Sequence, residues 1–388
     1  MAHALPLSTQ PADEELLCPR CQEIVTGEIC PRHRIPGIAG AWIDPSEPLQ
    51  GRNLDGRHTL LHRIAWGATA EVHAAWDSRS REIVAVKLIR EELAGDTTII
   101  ERFRREVLVL RRLEHEGIVR MIGAGRSVDN RVFIALERLD GLTIEQLVES
   151  SGKLEVGRAL DIAAQICRAL ELSHERGFVH RDMKPANVII ERTRSGEDLV
   201  KVVDYGISRN LGDDPGDELI SAGKMLGSPC YAAPEQARLG TLDARTDLYA
   251  VGIICYEMLT GTLPFEDPDP VNVLRAQVTA PVPPLPESIP TAVCTLVEAL
   301  LAKDPAHRPQ TARSVAEQLE RLRSLHGAPA PAPIPIRSAE RASDTQTTDE
   351  SLSTFEVPWA LVMRMAGVSA LGLALGAITS LATWAITH

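Results

Sequence analysis

An acid, a cation and an amide stand at fixed offsets in one short stretch of the chain. Asp182, Lys184 and Asn187 follow His180 directly, and the stretch comes after an apolar helical stripe over residues 159–175. Phosphoryl transfer uses a carboxylate to orient the acceptor hydroxyl and a lysine to offset charge on the moving phosphoryl group. It also uses an amide oxygen to help hold a magnesium ion. The spacing therefore predicts a phosphoryl-transfer loop at the end of a buried helix.

Three further motifs occur in the order that such a loop requires. They are Val84-Ala85-Val86-Lys87, Asp204-Tyr205-Gly206 and Ala233-Pro234-Glu235. Any one of them could arise by chance, but the ordered set could not arise so easily. Together these residues resemble bacterial members of the eukaryotic-like (Hanks-type) serine/threonine kinase family over residues 58–325. The resemblance implies an α+β, two-lobed fold with a small β-rich N-lobe and a larger helical C-lobe.

The same resemblance assigns roles to individual side chains and implies ATP and Mg²⁺ as cofactors. Asp182 is expected to act as the catalytic base or hydroxyl-orienting group, and Lys184 to lie near the γ-phosphate. Asn187 and Asp204 are the expected magnesium ligands. Lys87 would hold the α- and β-phosphates, with Glu106 as its predicted helix partner and Glu101 as the competing candidate.

The nucleotide pocket is less typical of the family. The expected ATP-binding residues are Ala65, Gly67, Val72, Ala85, Glu137, Leu139 and Ile189. In the loop that covers the phosphates only the middle glycine, Gly67, survives, because alanines stand at the first and third glycine positions. Alanine at the first of these positions restricts a backbone that glycine leaves free, so ATP affinity or turnover could be reduced.

Other residues resemble structural and regulatory parts of the family. Glu235 and Arg308 resemble the pair that ties the substrate-docking segment to the large lobe, and Asp247 resembles the aspartate that braces the catalytic loop. Ser221 and Ser228 are the candidate phosphorylation sites. Ser221 is the better one, because Ser228 lies in Gly227-Ser228-Pro229, where the resemblance implies that the hydroxyl makes contacts near the base.

The N-terminal segment carries two short Cys-Pro-Arg repeats. A first pair, Cys18 and Cys21, is followed by a second pair, Cys30 and His33, after an eight-residue connection. Four such ligands in paired turns suit a structural zinc ion, and residues 1–36 resemble a zinc-ribbon knuckle pair. Free thiols in an unstructured leader are the alternative. Residues 37–57, rich in Pro, Gly and Asp, read as a linker.

The C-terminal part predicts a membrane anchor. Residues 326–358 are Pro/Ala-rich and then polar, which is typical of a disordered tether. The predicted transmembrane helix covers 359–386, within which residues 365–386 lack charge and would span about 33 Å as a helix. No export signal precedes the kinase-like region, so we expect it in the cytosol, anchored once to the inner (cytoplasmic) membrane.

Bulk composition narrows the alternatives. The 388-residue chain is 44% hydrophobic and 24% charged, which excludes disorder throughout. A net charge of −12 argues against nucleic-acid binding. Seven unevenly spaced cysteines do not form a disulfide framework.

Three functions remain. The first is an active membrane-tethered kinase that phosphorylates protein substrates and itself, with homodimerisation through the membrane helix. The second is a pseudokinase scaffold, and the third is a zinc-dependent adaptor. The joint presence of Lys87, Asp182, Asn187 and Asp204 favours the first, because a scaffold has no use for all four.

Overall fold

The computed structural model describes residues 15–193, 195–205, 209–210 and 228–326. Ser221, the tether beyond His326 and the predicted membrane helix lie outside the described residues. Within the described ranges, no helix combines the length and the apolar character needed to cross a bilayer.

A five-stranded antiparallel sheet forms the small lobe, with the strand order β3-β4-β5-β7-β6. Its strands are β3 (His58–Trp66), β4 (Ala70–Asp77), β5 (Glu82–Ile89), β6 (Met121–Arg126) and β7 (Val132–Glu137). Side chains alternate across the sheet, so Val84, Val86 and Leu88 are buried on one face. Ala85 and Lys87 therefore point to the opposite face.

Helix α1 (Thr97–Leu110) packs against the sheet. Asp96 caps its N-terminus by accepting hydrogen bonds from the backbone amides of Thr98 and Ile99 at 2.8 and 3.2 Å. Ile99 and Phe103 are buried in a cluster with residues of β5 and β7. Glu106 lies three residues after Phe103 on the same helical face, so the packing of this apolar stripe points its carboxylate at the sheet.

The large lobe is mostly helical. It contains α2 (Ile144–Ser151), α3 (Val156–Glu175), α4 (Pro234–Ala237), α5 (Ala244–Thr260), α6 (Pro270–Thr279), α7 (Thr291–Leu300) and α8 (Ala312–His326), together with the short strands β8 (Gly141–Thr143), β9 (Phe178–Val179), β10 (Val188–Arg192), β11 (Asp198–Val202) and β12 (Arg209–Asn210). Helix α5 is buried almost all round, from Thr246 to Leu259. Such a helix is central to a core rather than at its surface. The predicted two-lobed α+β fold is confirmed for the described residues.

The N-terminal residues form part of the small lobe. Strand β1 (Leu16–Leu17) pairs with β2 (Ile38–Ala39). Further along, the amide of Gly51 donates to the carbonyl of Leu60 at 2.8 Å, and that of Leu54 donates to His58 at 2.8 Å, which covers the free edge of β3.

The interpretation of residues 37–57 as a linker is therefore wrong. Leu49 and Leu54 are buried in one cluster with the face of the sheet opposite Lys87. The Pro, Gly and Asp residues that indicated a linker instead shape turns between these anchoring leucines.

Candidate active site

Lys87 lies between two carboxylates that come from different parts of the fold. Its Nζ is 2.9 Å from both carboxylate oxygens of Glu106 and also contacts Asp204. Burial alone would lower the pKa of the lysine, but the carboxylates of Asp204 and Glu106 outweigh that cost and raise it. Lys87 in turn holds the pKa of Asp204 below its usual range. The lysine is therefore a fixed cation in the cleft between the lobes.

Glu101, the competing partner, is exposed and pairs with Arg104 on the outer surface of α1. The structure thus brings Glu106, and not Glu101, to Lys87.

The catalytic-loop residues meet on the large-lobe side of the cleft. Lys184 Nζ lies 2.8 Å from Asp182 Oδ2. Asn187 Nδ2 donates to the backbone carbonyl of Asp182 at 2.8 Å and lies 3.3 Å from its carboxylate. Because the amide nitrogen of Asn187 is held by the loop, its oxygen is the atom left for a cation. Oxygen ligands of this kind are what Mg²⁺ prefers, so Asn187 and Asp204 fit the predicted metal role.

Asp247 on α5 holds the catalytic loop in place from the core of the large lobe. Its carboxylate accepts hydrogen bonds from the backbone amides of His180 and Arg181, both at 2.8 Å, and contacts His174 Nε2 at 2.8 Å. Burial opposes ionisation of this carboxyl, yet these bonds keep its pKa below the usual range. Arg181 has φ 67°, a left-handed conformation that costs energy for a residue with a side chain. The Asp247 bonds hold it there.

A buried ion pair ties the next segment to the same lobe. Arg308 donates through both terminal nitrogens to the two carboxylate oxygens of Glu235, each at 2.8 Å. Gln236 Nε2 then donates to the backbone carbonyl of Arg181 at 2.9 Å. The predicted pair is therefore formed, and its neighbour links the segment back to the catalytic loop.

The nucleotide-pocket residues line the space between the lobes. In register, Val72 pairs with Lys87 and Ala85 with Leu136, which puts all four on the cleft-facing side of the sheet. Ile189 lies on β10 of the large lobe, half-buried at the edge of its core. Ala65 and Gly67 flank the exposed Trp66 at the turn between β3 and β4.

The connection between the lobes is fixed by a lysine that sequence reasoning missed. Leu139 is buried, whereas Glu137 accepts from Lys201 Nζ at 2.8 Å. Lys201 interrupts the otherwise apolar end of β11, and that interruption was the available signal. Of the two candidate phosphorylation sites, only Ser228 is described, and it is half-buried just before the turn at Pro229–Tyr231.

The four predicted zinc ligands lie together at the N-terminus. The ligand atoms of Cys18, Cys21, Cys30 and His33 all lie within 4.8 Å of one another. His33 Nδ1 is 3.5 Å from the sulfur of Cys18 and 3.7 Å from that of Cys30. Sulfur and nitrogen ligands on a zinc tetrahedron are separated by about 3.5 Å, so these two sulfur–nitrogen distances have the spacing of ligands on a zinc ion.

The two Cys-Pro-Arg turns also have matching backbones. The amide of Gln22 donates to the carbonyl of Cys18, and the amide of Arg34 donates to Cys30, both at 2.8 Å. Gln22 and Arg34 have φ 58° and 54°, so each turn closes through a left-handed residue at the same position. This internal repeat argues that the ligands are organised by two equivalent turns, as in a knuckle pair.

Comparison with known proteins gives one family. A family model described as the protein kinase domain matches residues 59–319. The chain is 36% identical over 307 residues to serine/threonine-protein kinase PknB of Mycobacterium tuberculosis strain H37Ra, covering 78% of this chain and 48% of that protein. It is 38% identical over 299 residues to PknB of Mycolicibacterium smegmatis, covering 75% and 47%.

A third relative is the serine/threonine-protein kinase pkn3 of Myxococcus xanthus. It is 33% identical over 307 residues, covering 74% of this chain and 56% of pkn3. The chain spans about half the length of the curated relatives it matches.

Proposed function

The chain belongs to the protein kinase family, and from that premise we propose that it transfers the γ-phosphoryl group of ATP to serine or threonine hydroxyls of proteins. One observation carries the proposal. Lys87, paired with Glu106, contacts Asp204 across the cleft, while Lys184 and Asn187 both donate hydrogen bonds to Asp182 on the large-lobe side. All the charges that the reaction needs are therefore present and held by neighbours.

The chain's residues divide the work of the reaction. Asp182 orients the acceptor hydroxyl and takes its proton, and Lys184 offsets charge on the moving phosphoryl group. Lys87 holds the phosphates that stay behind. Asn187 and Asp204 would hold Mg²⁺, which when bound neutralises charge on the phosphates. Lys184 two residues after the base is what favours serine and threonine over tyrosine as the acceptor.

The runner-up is a scaffold that uses the same fold without transfer. Its support is the covering loop, in which only Gly67 remains of the family's glycines. Against it stands the ion pair of Lys87 with Glu106, whose two partners are both largely withdrawn from water. Such a pair is costly to bury, and a protein that only binds partners gains nothing from it.

The deciding experiment is a phosphotransfer assay. Purified full-length chain is incubated with labelled ATP and Mg²⁺, and the phosphorylated residues are mapped. We expect label on serine or threonine, including Ser221, and no label in Asp182→Asn. Label that persists in Asp182→Asn would contradict the proposal. It would also be contradicted if the wild-type chain labelled neither itself nor an added basic protein offered as substrate.

We also propose a structural Zn²⁺ held by Cys18, Cys21, Cys30 and His33. The size of the cluster and the two matching turns support this assignment. The site has four ligands and no open position for a substrate, so it would contribute stability rather than chemistry.

Finally, we propose that residues 359–386 anchor the kinase to the cytoplasmic membrane. The uncharged run of residues 365–386 supports this, with Trp359 and Trp384 near the two interfaces. The kinase domain would then face the cytosol, where ATP is supplied.

A further inference from the structure

The N-terminal residues and the loop over the nucleotide pocket form one continuous structure. The half-buried side chain of Trp76 on β4 shows this most directly. It packs against the cluster of Cys18, Val25, Cys30 and Ile35. This cluster belongs to the two Cys-Pro-Arg turns that carry the proposed zinc ligands, called here the metal-ligand turns. The same indole packs against Ile38, Leu61 and Ala74, a cluster shared between β2 and the sheet. One side chain of the small lobe therefore contacts both the ligand turns and the strands that lead to the covering loop.

A second contact fixes β3 from the side. The ring of Trp42 lies on that of His62, with centroids 4.5 Å apart and planes inclined by 32°. The side-chain Nε2 of Gln50 donates to the backbone carbonyl of Trp42 and to that of Leu61, both at 2.7 Å. Since His62 and Leu61 are consecutive residues of β3, this strand is held by a ring contact and a hydrogen bond at the same point.

A third contact joins the first metal-ligand turn to the same strand edge. Gly51 has φ +76°, and a Cβ there would lie 2.8 Å from both the carbonyl oxygen of Pro19 and the Cα of Arg20. Only glycine allows so close an approach of two backbones. The backbone amide of Gly51 donates to the carbonyl of Leu60 on β3. Gly51 therefore contacts the turn that contains Cys18 and Cys21 on one side and the sheet on the other.

A fourth contact reaches the covering loop itself. Glu47 has a side chain only 4% exposed, and its carboxylate lies 2.7 Å from Nη1 of Arg63. The guanidinium of Arg63 lies over the ring of Trp66, 5.0 Å from its centroid, and that of Arg90 lies 4.4 Å from the same centroid. Trp66 is 42% exposed, so it is held mainly by these two cations and not by a core.

Trp66 connects these contacts to the nucleotide pocket, because it lies within the covering loop. It stands between Ala65 and Gly67, at the turn that covers the phosphates in the proposed function. A loop rich in glycine finds its closed position on the ligand, whereas a loop with alanines at the two outer glycine positions has fewer conformations available. A loop that is already held in its closed position before ATP binds then matters more, because ATP binding does not have to supply the free energy to order it.

We propose that Glu47, Arg63 and Trp66 are positioning residues for the nucleotide, and that the metal-ligand turns are the base on which they rest. The inference depends on the proposed function, since it concerns the ATP of that same site. Glu47 fixes Arg63, and Arg63 with Arg90 fixes the ring of Trp66. The backbone of Ala65 and Gly67 is thereby held over the phosphates before ATP arrives.

The test uses the full-length chain and two measurements. Hydrogen exchange of residues 64–70 without nucleotide reports the mobility of the loop, and calorimetric titration with ATP and Mg²⁺ reports affinity. Glu47→Gln removes the charge but keeps an oxygen for the amide of Leu49, which Glu47 also accepts at 3.3 Å. Trp66→Leu removes the ring at an exposed position where folding is not at risk.

We expect faster exchange over residues 64–70 in both variants, because Trp66→Leu removes both cation–π contacts of the ring and Glu47→Gln loosens the one that Arg63 makes. ATP binding should weaken about fivefold, a loss on the order of one exposed cation–π contact. The KM for ATP should rise by the same factor while kcat changes less than twofold. Trp66→Phe, which keeps a ring, should recover part of the loss. The control Glu23→Gln breaks the exposed pair of Glu23 with Arg32, 3.0 Å apart on the same N-terminal module, and should change nothing.

The outcomes separate the two proposals. If wild type fails to bind ATP, the proposed function is wrong, yet loop exchange still decides whether Glu47 and Trp66 fix the loop. If ATP binds and both variants match wild type in exchange and affinity, the positioning role is wrong. Chelation of the wild-type chain should speed exchange in 64–70 as Glu47→Gln does. Unchanged exchange in metal-free protein would show that the metal-ligand turns are not the base.

Discussion

The chemistry of the site rests on a few charges whose positions are set by neighbours rather than by their own backbone. Lys87 is held by Glu106, and Asp182 by Lys184 and Asn187. Each of these side chains has another side chain within hydrogen-bond distance, which limits the rotamers it can adopt. Preorganised charge of this kind costs no rearrangement at the moment of reaction, and that is where most of its catalytic value comes from.

Replacement of Lys87 tests this arrangement directly. Lys87→Met keeps most of the aliphatic length but removes the cation between Glu106 and Asp204. We expect phosphotransfer to fall by at least about a hundredfold while the far-ultraviolet circular dichroism is unchanged. Lys153→Met, at an exposed lysine outside the cleft, is the matched control. Near wild-type autophosphorylation in Lys87→Met would show that this lysine has no catalytic role.

Individual residues were the easiest level to predict from sequence, because chemistry constrains their types and spacing. The choice of Glu106 over Glu101 followed from the apolar stripe containing Phe103. Lys201 and Trp66 were harder. Lys201 acts through Glu137, which is distant in sequence, and the Trp66 contacts need Arg90, which directly follows β5, as well as Arg63 on β3 itself. No local sequence pattern predicts a contact such as Lys201 with Glu137 or Arg90 with Trp66.

At the scale of elements, β3 carries a titratable group in an unusual environment. His62 is 7% exposed beneath Trp42, and its Nδ1 has no hydrogen-bond partner among the described residues. Burial, with Arg138 and His73 nearby, lowers the pKa of His62 to about 4. The imidazole is therefore neutral in the folded protein at pH 7.

This environment predicts a loss of stability on the acid side. Between pH 6.5 and pH 4 the unfolded chain binds a proton at His62 that the folded chain does not, so the free energy of unfolding falls as pH falls. The full effect is about 3 kcal/mol. His62→Phe keeps the ring on Trp42 and should flatten this part of the pH profile in urea unfolding. His326→Gln, at an exposed histidine, should not. An unchanged slope in His62→Phe would rule out His62 as the cause.

The paired Cys-Pro-Arg turns make a second prediction at this scale. The purified chain should contain one zinc ion per molecule by atomic absorption after washing with a weak chelator. The double variant Cys18→Ser, Cys21→Ser removes one turn's ligands, so its zinc content should fall to near zero and its thermal midpoint should drop by several degrees. Cys294→Ser, at a half-buried cysteine of the large lobe, is the control. Equal zinc in the double variant and the wild type would contradict the site.

Over the whole molecule, the N-terminal segment is the part that sequence reasoning described least well. Its turn residues indicated a linker, and they do form turns, but Leu49 and Leu54 between them cover the sheet. A composition rich in Pro and Gly does not distinguish a free tether from a chain that bends closely over a surface, because both need turns. The two lobes were predictable because their order of β-rich and helical sequence is long and regular.

The last prediction concerns how two molecules would meet if residues 359–386 anchor them in the membrane. Gly372 and Gly376 form a Gly-x-x-x-Gly pair in the proposed membrane helix, and small residues at this spacing let two helices approach closely. A dimer would raise the effective concentration of one kinase domain near another's Ser221 through the tether, which favours phosphorylation in trans. In membranes at matched expression, Gly372→Ile with Gly376→Ile should reduce both crosslinking and Ser221 phosphorylation several-fold. Ala370→Ile, outside the pair, controls for added bulk. Because each kinase domain remains complete in the double variant, its activity on an added substrate should stay unchanged, and equal Ser221 phosphorylation with equal crosslinking would reduce the helix to an anchor.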